Sequence, residues 1–210
     1  MLQNPYGVDV DLAGNIYICD KSNYRIRKID ASTNTITTIA GNGNQGSTGD
    51  GGPALNAAIR PQNIAVDNDG NVFFWDNGGT IRKVAISDGK IYRIAGDSSG
   101  TWGNTGDGGP ATQAQISVGT SGICVDRNSG DLYLIQSNNS IRKITASTGI
   151  ISTVAGTGVS GFAGDGGDPL DAQFRLSFGG LRTDANGALF IADWGNNCIR
   201  KIDFNQNIVT

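Results

Sequence analysis

The feature that most constrains the fold of this chain is the tripeptide Ile-Arg-Lys, which recurs at intervals of about 55 to 60 residues. Each copy follows a short apolar run and a turn. The four copies are Ile26–Lys28, Ile81–Lys83, Ile141–Lys143 and Ile199–Lys201. A period of this size is typical of one supersecondary unit copied along a chain. The 210 residues are therefore predicted to contain four copies of one unit.

The first copy shows what the unit contains. Apolar and polar residues alternate from Gly7 to Asp11, and the turn that follows carries Gly14. Such alternation is typical of a half-buried strand, and an Asp followed closely by a Gly is typical of a tight hairpin turn. Three more short runs of this kind follow before the next unit begins. Each unit is therefore predicted to be an antiparallel meander of four strands.

Four such meanders in succession predict an all-β protein of the β-propeller class, in which each sheet buries its faces against its neighbours. We expect residues 1–210 to form a single propeller segment of about four blades. The predicted blades span approximately residues 5–41, 61–96, 120–156 and 178–210.

Glycine-rich insertions separate the predicted blades, and each contains the sequence Gly-Asp-Gly-Gly. Pro53, Pro110 and Pro169 are predicted to be the first residues of short helical turns, and Asp168 is predicted to be the N-cap of the third. The insertions span residues 42–60, 97–119 and 157–177.

The Asp of each Gly-Asp-Gly-Gly motif is predicted to cap its own loop, and a calcium site is the alternative. Calcium takes six to eight oxygen ligands, whereas each loop supplies one carboxylate. The candidate calcium ligands are Asp50, Asp107 and Asp165.

The stretches at 7–28 and 192–201, which read GVDVDLAGNIYICDKSNYRIRK and ADWGNNCIRK, resemble the NHL repeat. The resemblance covers nearly the whole chain in four copies. The inserted Gly-Asp-Gly-Gly-Pro-Ala element resembles a long variant of that repeat, seen in secreted and cell-surface proteins. The third unit departs from the pattern, because Gln136 replaces an Asp. The resemblance implies a binding platform with a six-bladed ring, of which this segment supplies part; a closed four-bladed ring, or closure through a second molecule, is the alternative.

Antiparallel strand order predicts which loops could form a binding surface. The turn between the second and third strands of a blade lies at the same edge as the insertion that leaves it. Functional residues concentrate on loops held by a rigid scaffold, so this edge is the candidate surface. The triplet at 138–140 also matches the acceptor pattern for N-glycosylation at Asn138. The candidate binding residues are Tyr24, Asn77, Trp102, Asn138, Trp194 and Asn196.

The composition argues against several functions. The chain has no histidine and no glutamate, and all 19 of its acidic residues are Asp. Histidine is the commonest general base and the commonest metal ligand. The net charge of −3 argues against nucleic-acid binding, which depends on Lys and Arg contacts to phosphates. No apolar run has the length of a membrane span, and no cofactor is expected.

We therefore expect a non-catalytic module that serves as an interaction or structural scaffold within a larger extracellular or cell-surface protein or assembly. Its expected partners are other protein chains, further domains of the same protein, or glycans. The alternative is part of a propeller enzyme, of the metal-dependent lyase or hydrolase type, whose site is supplied by blades outside this segment. The first strands contribute Asp9, Ala65, Cys124 and Arg182, which do not make an acid–base pair.

Overall fold

The computed structural model describes residues 1–76, 79–97, 99, 101–117 and 122–210. The chain forms two compact units, Met1–Gly96 and Asp97–Thr210. Each unit carries two four-stranded antiparallel sheets. The predicted fold class is confirmed: the protein is all-β, with four-stranded antiparallel blades of the propeller type and short 3-10 turns between them.

The first unit contains blades 1 and 2, in which every strand pairs with the next one along the chain. Blade 1 consists of β1 (Pro5–Val10), β2 (Ile16–Asp20), β3 (Arg25–Ile29) and β4 (Ile36–Ala40). Blade 2 consists of β5 (Pro61–Val66), β6 (Val72–Asp76), β7 (Thr80–Ala85) and β8 (Lys90–Ala95).

The second unit contains blades 3 and 4, with the same strand order. Blade 3 consists of β9 (Ile123–Val125), β10 (Leu132–Ile135), β11 (Ile141–Ile144) and β12 (Ile151–Ala155). Blade 4 consists of β13 (Leu181–Thr183), β14 (Leu189–Asp193), β15 (Cys198–Asp203) and β16 (Ile208–Val209).

The hairpin between β1 and β2 shows why each blade begins as it does. Oδ1 of Asp11 accepts hydrogen bonds from the backbone N–H groups of Ala13 (3.0 Å) and Asn15 (2.9 Å). Gly14 has a φ of 84°, a conformation that side chains with a Cβ rarely adopt. The carboxylate and the glycine together set the turn. The same use of an Asp side chain recurs at Asp67, Asp126 and Asp184.

Within each unit the two blades pack face to face. Tyr17 and Ile26 of blade 1 share one buried cluster with Ile64 and Phe74 of blade 2. In the second unit, residues at the same positions of blades 3 and 4 form a buried cluster of the same kind. Burying such side chains contributes roughly 1.5–3 kcal/mol each, so the contacts between blades dominate the stability of each unit.

The insertions contain short 3-10 helices at Ala54–Asn56, Ala111–Gln113 and Pro169–Asp171. Asp168 is the predicted N-cap, and its Oδ1 accepts a hydrogen bond from the backbone N–H of Leu170 (2.8 Å). The prediction for Pro53 and Pro110 is wrong, since both precede the helix instead of beginning it. Their ψ angles of 128° and 129° are extended, because each pairs with an outer strand of the next blade.

Candidate interaction surface

The third strand of blade 2 carries a fully buried arginine, Arg82. Its Nε donates to Oδ1 of Asp50 (3.0 Å), and its Nη1 donates to Oδ2 of Asp76 (3.1 Å). Its Nη2 donates to the backbone carbonyl of Thr48 (2.9 Å). The strand register shifts between Ile81 and Arg82, and such bulges re-aim a side chain. The arginine thus holds the preceding insertion against blade 2.

Blades 3 and 4 repeat this arrangement, which we call the arginine clamp: a third-strand Arg bonded to the Asp and two backbone carbonyls of the preceding insertion. In blade 3, Arg142 Nε donates to Asp107 Oδ1 (2.8 Å). Nη1 and Nη2 of Arg142 donate to the carbonyls of Gln115 (2.9 Å) and Thr105 (3.2 Å). Arg200 makes the corresponding bonds in blade 4.

Arg27 occupies the same position in blade 1 but has different surroundings. Its Nε donates to Oδ2 of Asp20 (3.0 Å), and its Nη1 donates to the hydroxyl of Thr38. The side chain of Arg27 is 23% exposed, whereas that of Arg82 is 0% exposed. The chain therefore contains its own comparison between a clamped arginine and one outside a clamp.

The glycines of each insertion also pair with the outer strand of the following blade. Gly51 donates its backbone N–H to the carbonyl of Ile91 (2.7 Å), and Ile91 donates to the carbonyl of Gly52 (3.1 Å). The second and third insertions bond to Ile151 and Val209 in the same way. An outer strand would otherwise present unpaired backbone groups. The insertions are therefore built into the blades instead of projecting as free loops.

The candidate calcium ligands, Asp50, Asp107 and Asp165, lie in three separate clamps, each against a guanidinium. Burial raises the pKa of Asp107, but hydrogen bonds from Thr153 and Arg142 outweigh it and hold the pKa below its usual value. Among the residues that the structure describes, no cluster of three potential metal-ligating side chains occurs. The sequence predicted that each of these carboxylates caps its own loop. In the structure each forms an ion pair with an arginine of the next blade.

Most of the predicted binding residues lie where a turn between second and third strands meets an insertion. Tyr24 is half-buried, and its hydroxyl donates to Oε1 of Gln45 in the first insertion (3.2 Å). Oδ1 of Asn138 accepts a hydrogen bond from the Ser140 hydroxyl (2.7 Å). Trp102 lies in the second insertion and is more than half exposed. Asn77 lies outside the described residues.

Trp194 and Asn196 lie beside exposed aromatic residues that the sequence analysis missed. The rings of Trp194 and Phe178 form an edge-to-face pair with centroids 5.0 Å apart. Nδ2 of Asn196 donates to the carbonyl of Gly161 (2.8 Å), which brings the neighbouring Phe162 to the same edge. The three aromatic side chains are each more than half exposed. We call Phe162, Phe178 and Trp194 the aromatic patch.

Contacts with Arg200 and Arg175 hold the aromatic patch in place. The guanidinium of Arg200 lies 5.3 Å from the ring centroid of Phe162 and 4.8 Å from that of the buried Phe174. These are cation–π distances. The backbone N–H of Gly195 donates to the carbonyl of Arg175 (2.9 Å), which fixes the turn that carries Trp194. Exposed apolar groups on a fixed frame are typical of an interaction site.

A cleft of about 270 Å³ lies between blades 3 and 4, beside the turns between first and second strands. Asp126 and Asp131 line it, and Oδ2 of Asp131 lies 3.3 Å from Nζ of Lys143. Tyr133 stacks on Phe204 with centroids 5.7 Å apart, and burial raises the pKa of the Tyr133 hydroxyl. Because one carboxylate pairs with a lysine and the other caps its own turn, the cleft does not present a free acid–base pair.

Comparison with known proteins supports the fold more than any activity. No family model matches the chain. Protein SUPPRESSOR OF QUENCHING 1, chloroplastic, of Arabidopsis thaliana is 26% identical over 216 residues, which cover 98% of this chain and 20% of that protein. The chain therefore spans about a fifth of the length of the curated relative that it matches.

The structural neighbours are β-propeller proteins. An auxiliary nutrient binding protein from Bacteroides thetaiotaomicron matches with a TM-score of 0.65 and 19% identity, over 95% of this chain and 47% of that one. Virginiamycin B lyase from Staphylococcus aureus matches with a TM-score of 0.56 and 19% identity, over 98% and 54%. A chain of a nidogen/laminin complex matches with a TM-score of 0.55 and 14% identity, over 100% and 79%. At these identities the similarity shows the fold alone.

Within the described residues (1–76, 79–97, 99, 101–117 and 122–210), no helix has the length and apolar character needed to cross a bilayer.

Proposed function

We propose that this chain is a non-catalytic NHL-type propeller segment. The edge formed by the insertions and by the turns between second and third strands presents a binding surface to other protein chains or glycans. The observation that carries the proposal is the aromatic patch: Phe162 lies in the insertion that the Arg200 clamp holds, and Phe178 packs on Trp194, whose turn is fixed by the hydrogen bond from Gly195 to Arg175. Exposed aromatic groups on a fixed frame bind at a low cost in conformational entropy.

The pairing of the buried charges supports a scaffold more than a catalyst. The buried carboxylates of Asp76 and Asp193 accept backbone N–H bonds and lie against the guanidinium groups of Arg82 and Arg200. Carboxylates held in such ion pairs are committed to contacts within the fold and are not free groups for proton transfer. Virginiamycin B lyase shows that a related propeller can be an enzyme, so the alternative is a site completed by blades outside this segment.

Two of the structural neighbours have names that refer to binding or to assembly with another protein, and a third is a lyase. One is named a nutrient binding protein, and another lies in a complex of nidogen and laminin. By analogy we propose an extracellular or cell-surface location, with Asn138 as a glycosylation acceptor. Glycosylation is tested by the mass of the natural peptide that contains Asn138, since an unmodified peptide from secreted material would contradict glycosylation there.

The experiment for the proposed function compares matched surface variants. The wild-type chain, a Phe178→Ala/Trp194→Ala variant and a Leu12→Ala control are immobilised and exposed to extracts and to an array of glycans. Leu12 is also exposed, but it lies in the turn between β1 and β2. We expect the aromatic variant to lose about tenfold or more of the bound partner, because central aromatic residues dominate binding. Equal retention by all three chains would contradict the proposal.

Calcium binding is tested separately by calorimetric titration of the wild-type chain. We propose that no heat of binding appears, because the candidate carboxylates pair with arginines. A saturable heat that disappears in Asp107→Asn would instead favour the calcium alternative.

A further inference from the structure

The cleft between blades 3 and 4 contains a buried tyrosine whose hydroxyl has no protein partner. Tyr133 lines the cleft and is 4% exposed. Among the residues that the structure describes, none exchanges a hydrogen bond with the Tyr133 hydroxyl. Burial raises the pKa of this hydroxyl, and the nearby charges of Asp131 and Asp126 raise it further, so the hydroxyl keeps its proton. A buried polar group without a partner costs free energy, so it indicates a ligand that completes the hydrogen bond.

Blade 1 shows how the same tyrosine position is satisfied within the fold. Tyr17 stands opposite the Lys of Ile-Arg-Lys, as Tyr133 does in blade 3. The Tyr17 hydroxyl donates to Oδ2 of Asp11 (3.0 Å), the first residue of the preceding turn. That turn has five residues between its strands, whereas the turn of blade 3 has six. In the longer turn, Oδ2 of Asp126 accepts from the Ser129 hydroxyl (3.0 Å) instead, and the tyrosine loses its partner.

A second difference adds charge to the wall of the cleft. Asp131 stands where blade 1 has Asn15, and Oδ1 of each accepts a backbone N–H from the turn between third and fourth strands (2.9 and 3.0 Å). Nδ2 of Asn15 donates to Oδ2 of Asp11 (2.8 Å), which closes the turn of blade 1. Oδ2 of Asp131 instead lies 3.3 Å from Nζ of Lys143. Blade 3 therefore presents a carboxylate and an ammonium group to the cleft.

The rest of the lining combines apolar surface with amide groups. The ring of Phe204 stacks on Tyr133, and Val154 packs against the same buried cluster as Phe204. Asn186 and Asn205 add exposed side-chain amides. The volume of about 270 Å³ lies just below the roughly 300–1,000 Å³ of sites for drug-sized ligands, so the cleft accommodates one small ring instead of a chain.

The polar groups of the cleft match a neutral hydroxyl better than an ion of either sign. The proton of the Tyr133 hydroxyl needs an acceptor, which an ammonium ligand lacks, and such a ligand would also meet the charge of Lys143. An anion supplies acceptors but would meet the carboxylates of Asp126 and Asp131. A hydroxyl group both donates and accepts, so it can bond to the tyrosine and to a carboxylate at once.

We propose that the cleft between blades 3 and 4 binds one neutral sugar ring, either free or at the end of a glycan chain. One sugar hydroxyl accepts a hydrogen bond from Tyr133 and donates to Asp126 or Asp131, and the C–H face of the ring packs on Phe204 and Val154. The cleft lies beside the turns between first and second strands, at the opposite edge of the blades from the aromatic patch. It is therefore a second site, separate from the surface of the proposed function.

The test is an NMR titration of the isotopically labelled chain with glucose, galactose and mannose, and with the methyl glycoside of each. We expect at least one of them to bind saturably with a Kd of about 10 mM or tighter and to shift the amides of Gly187 and Asn205, which line the cleft. Binding of a methyl glycoside supports a glycan chain end as the source, and binding of free sugars alone supports a free sugar. No saturable binding up to about 100 mM would overturn the proposal.

Tyr133→Phe removes only the hydroxyl and should weaken sugar binding about three- to tenfold, because one hydrogen bond is lost. Tyr17→Phe is the matched control and should bind the sugar as the wild type does. Thermal unfolding separates binding from folding: Tyr133→Phe should keep or raise the Tm, since its hydroxyl has no partner, whereas Tyr17→Phe should lower it. Equal sugar binding by Tyr133→Phe and the wild type would overturn the proposal.

Two further arms test the identity of the ligand and of the site. Glucosamine and glucuronate carry opposite charges, and both should bind more weakly than the neutral sugars; tighter binding of either would overturn the assignment. The Phe178→Ala/Trp194→Ala variant should bind the sugar as the wild type does. Loss of sugar binding in that variant would place the sugar on the aromatic patch, which would overturn the cleft site and leave the proposed function standing.

Discussion

Replacement of Arg82 by Met tests whether the arginine clamp holds the insertion to the blade. The side chain of Arg82 is fully buried, and its guanidinium bonds to Asp50, Asp76 and the carbonyls of Thr48 and Ala58. Removing one member of a buried ion pair leaves an uncompensated charge and costs roughly 3–5 kcal/mol. For a chain of this size, this corresponds to a fall in Tm of roughly 6–20 °C.

Arg27→Met is the matched control, because Arg27 stands at the same position outside a clamp and is partly exposed. Asp20 keeps hydrogen bonds from Gln3 and Asn23 when Arg27 is removed, so we expect a loss of no more than about 2 kcal/mol. Both variants are measured by thermal and urea unfolding, followed by the fluorescence of the buried Trp75. Equal losses in the two variants would refute the reasoning.

The pH dependence of the same variant gives an independent check. Burial raises the pKa of Asp76 above 3.8, and hydrogen bonds from Arg60 and the charge of Arg82 partly oppose this. A carboxyl whose folded-state pKa is raised binds protons more tightly in the folded state, so its unfavourable contribution appears as the pH rises. The difference in stability between Arg82→Met and the wild type should therefore shrink as the pH falls toward 3.8. A difference that grows toward acid pH would contradict this assignment.

Three further predictions concern single sites. In chemical unfolding, Gly106→Ala should destabilise the protein by about 2 kcal/mol or more, because Gly106 has a φ of 93° and an added Cβ would lie 2.8 Å from a backbone atom. Gly109→Ala is the control and should be nearly neutral. Gln136→Glu should raise the Tm, because Nε2 of the buried Gln136 has no hydrogen-bond partner among the described residues and Gln136 stands at the position of Asp76, whose carboxylate lies against the clamp arginine of its blade; a lower Tm would count against this. Burial raises the pKa of the Cys19 and Cys198 thiols, so a thiol reagent should label the native protein slowly and the unfolded protein fast; rapid native labelling of Cys19 would be inconsistent with its burial.

The blades could be predicted from the sequence because their signals are local. Alternation with a period of two, and an Asp followed by a Gly in each turn, lie within a few residues of one another. Asp11 and Gly14 act within a single hairpin. The fold class followed from the repetition of these local signals, and the structure confirms it.

The role of the insertions could not be predicted in the same way, because it depends on contacts distant in sequence. Asp50 lies 32 residues before Arg82, and Asp107 lies 35 residues before Arg142. Local chemistry favoured a loop cap for each Asp. A signal was nevertheless present, since every insertion with Gly-Asp-Gly-Gly is followed by a blade with an Ile-Arg-Lys arginine.

The aromatic patch was predicted only in part. The sequence analysis named Trp194 as a candidate because it lies in a turn between second and third strands, where the scaffold argument applies directly. Phe162 and Phe178 were missed, because single aromatic residues in an irregular segment do not differ in sequence from residues that fill the core. Only their exposure and the 5.0 Å contact between Phe178 and Trp194 distinguish them.

Hydrogen–deuterium exchange of the insertions tests most directly whether the clamps make these segments rigid parts of the blades. The backbone N–H groups of Gly51, Gly108 and Gly166 donate to outer-strand carbonyls at 2.7, 2.8 and 2.7 Å. We predict that these three amides exchange as slowly as amides of the strands, and that Arg142→Met accelerates exchange at Gly108 far more than at Gly51. Exchange of all three at the rate of an unstructured peptide would contradict a fixed platform.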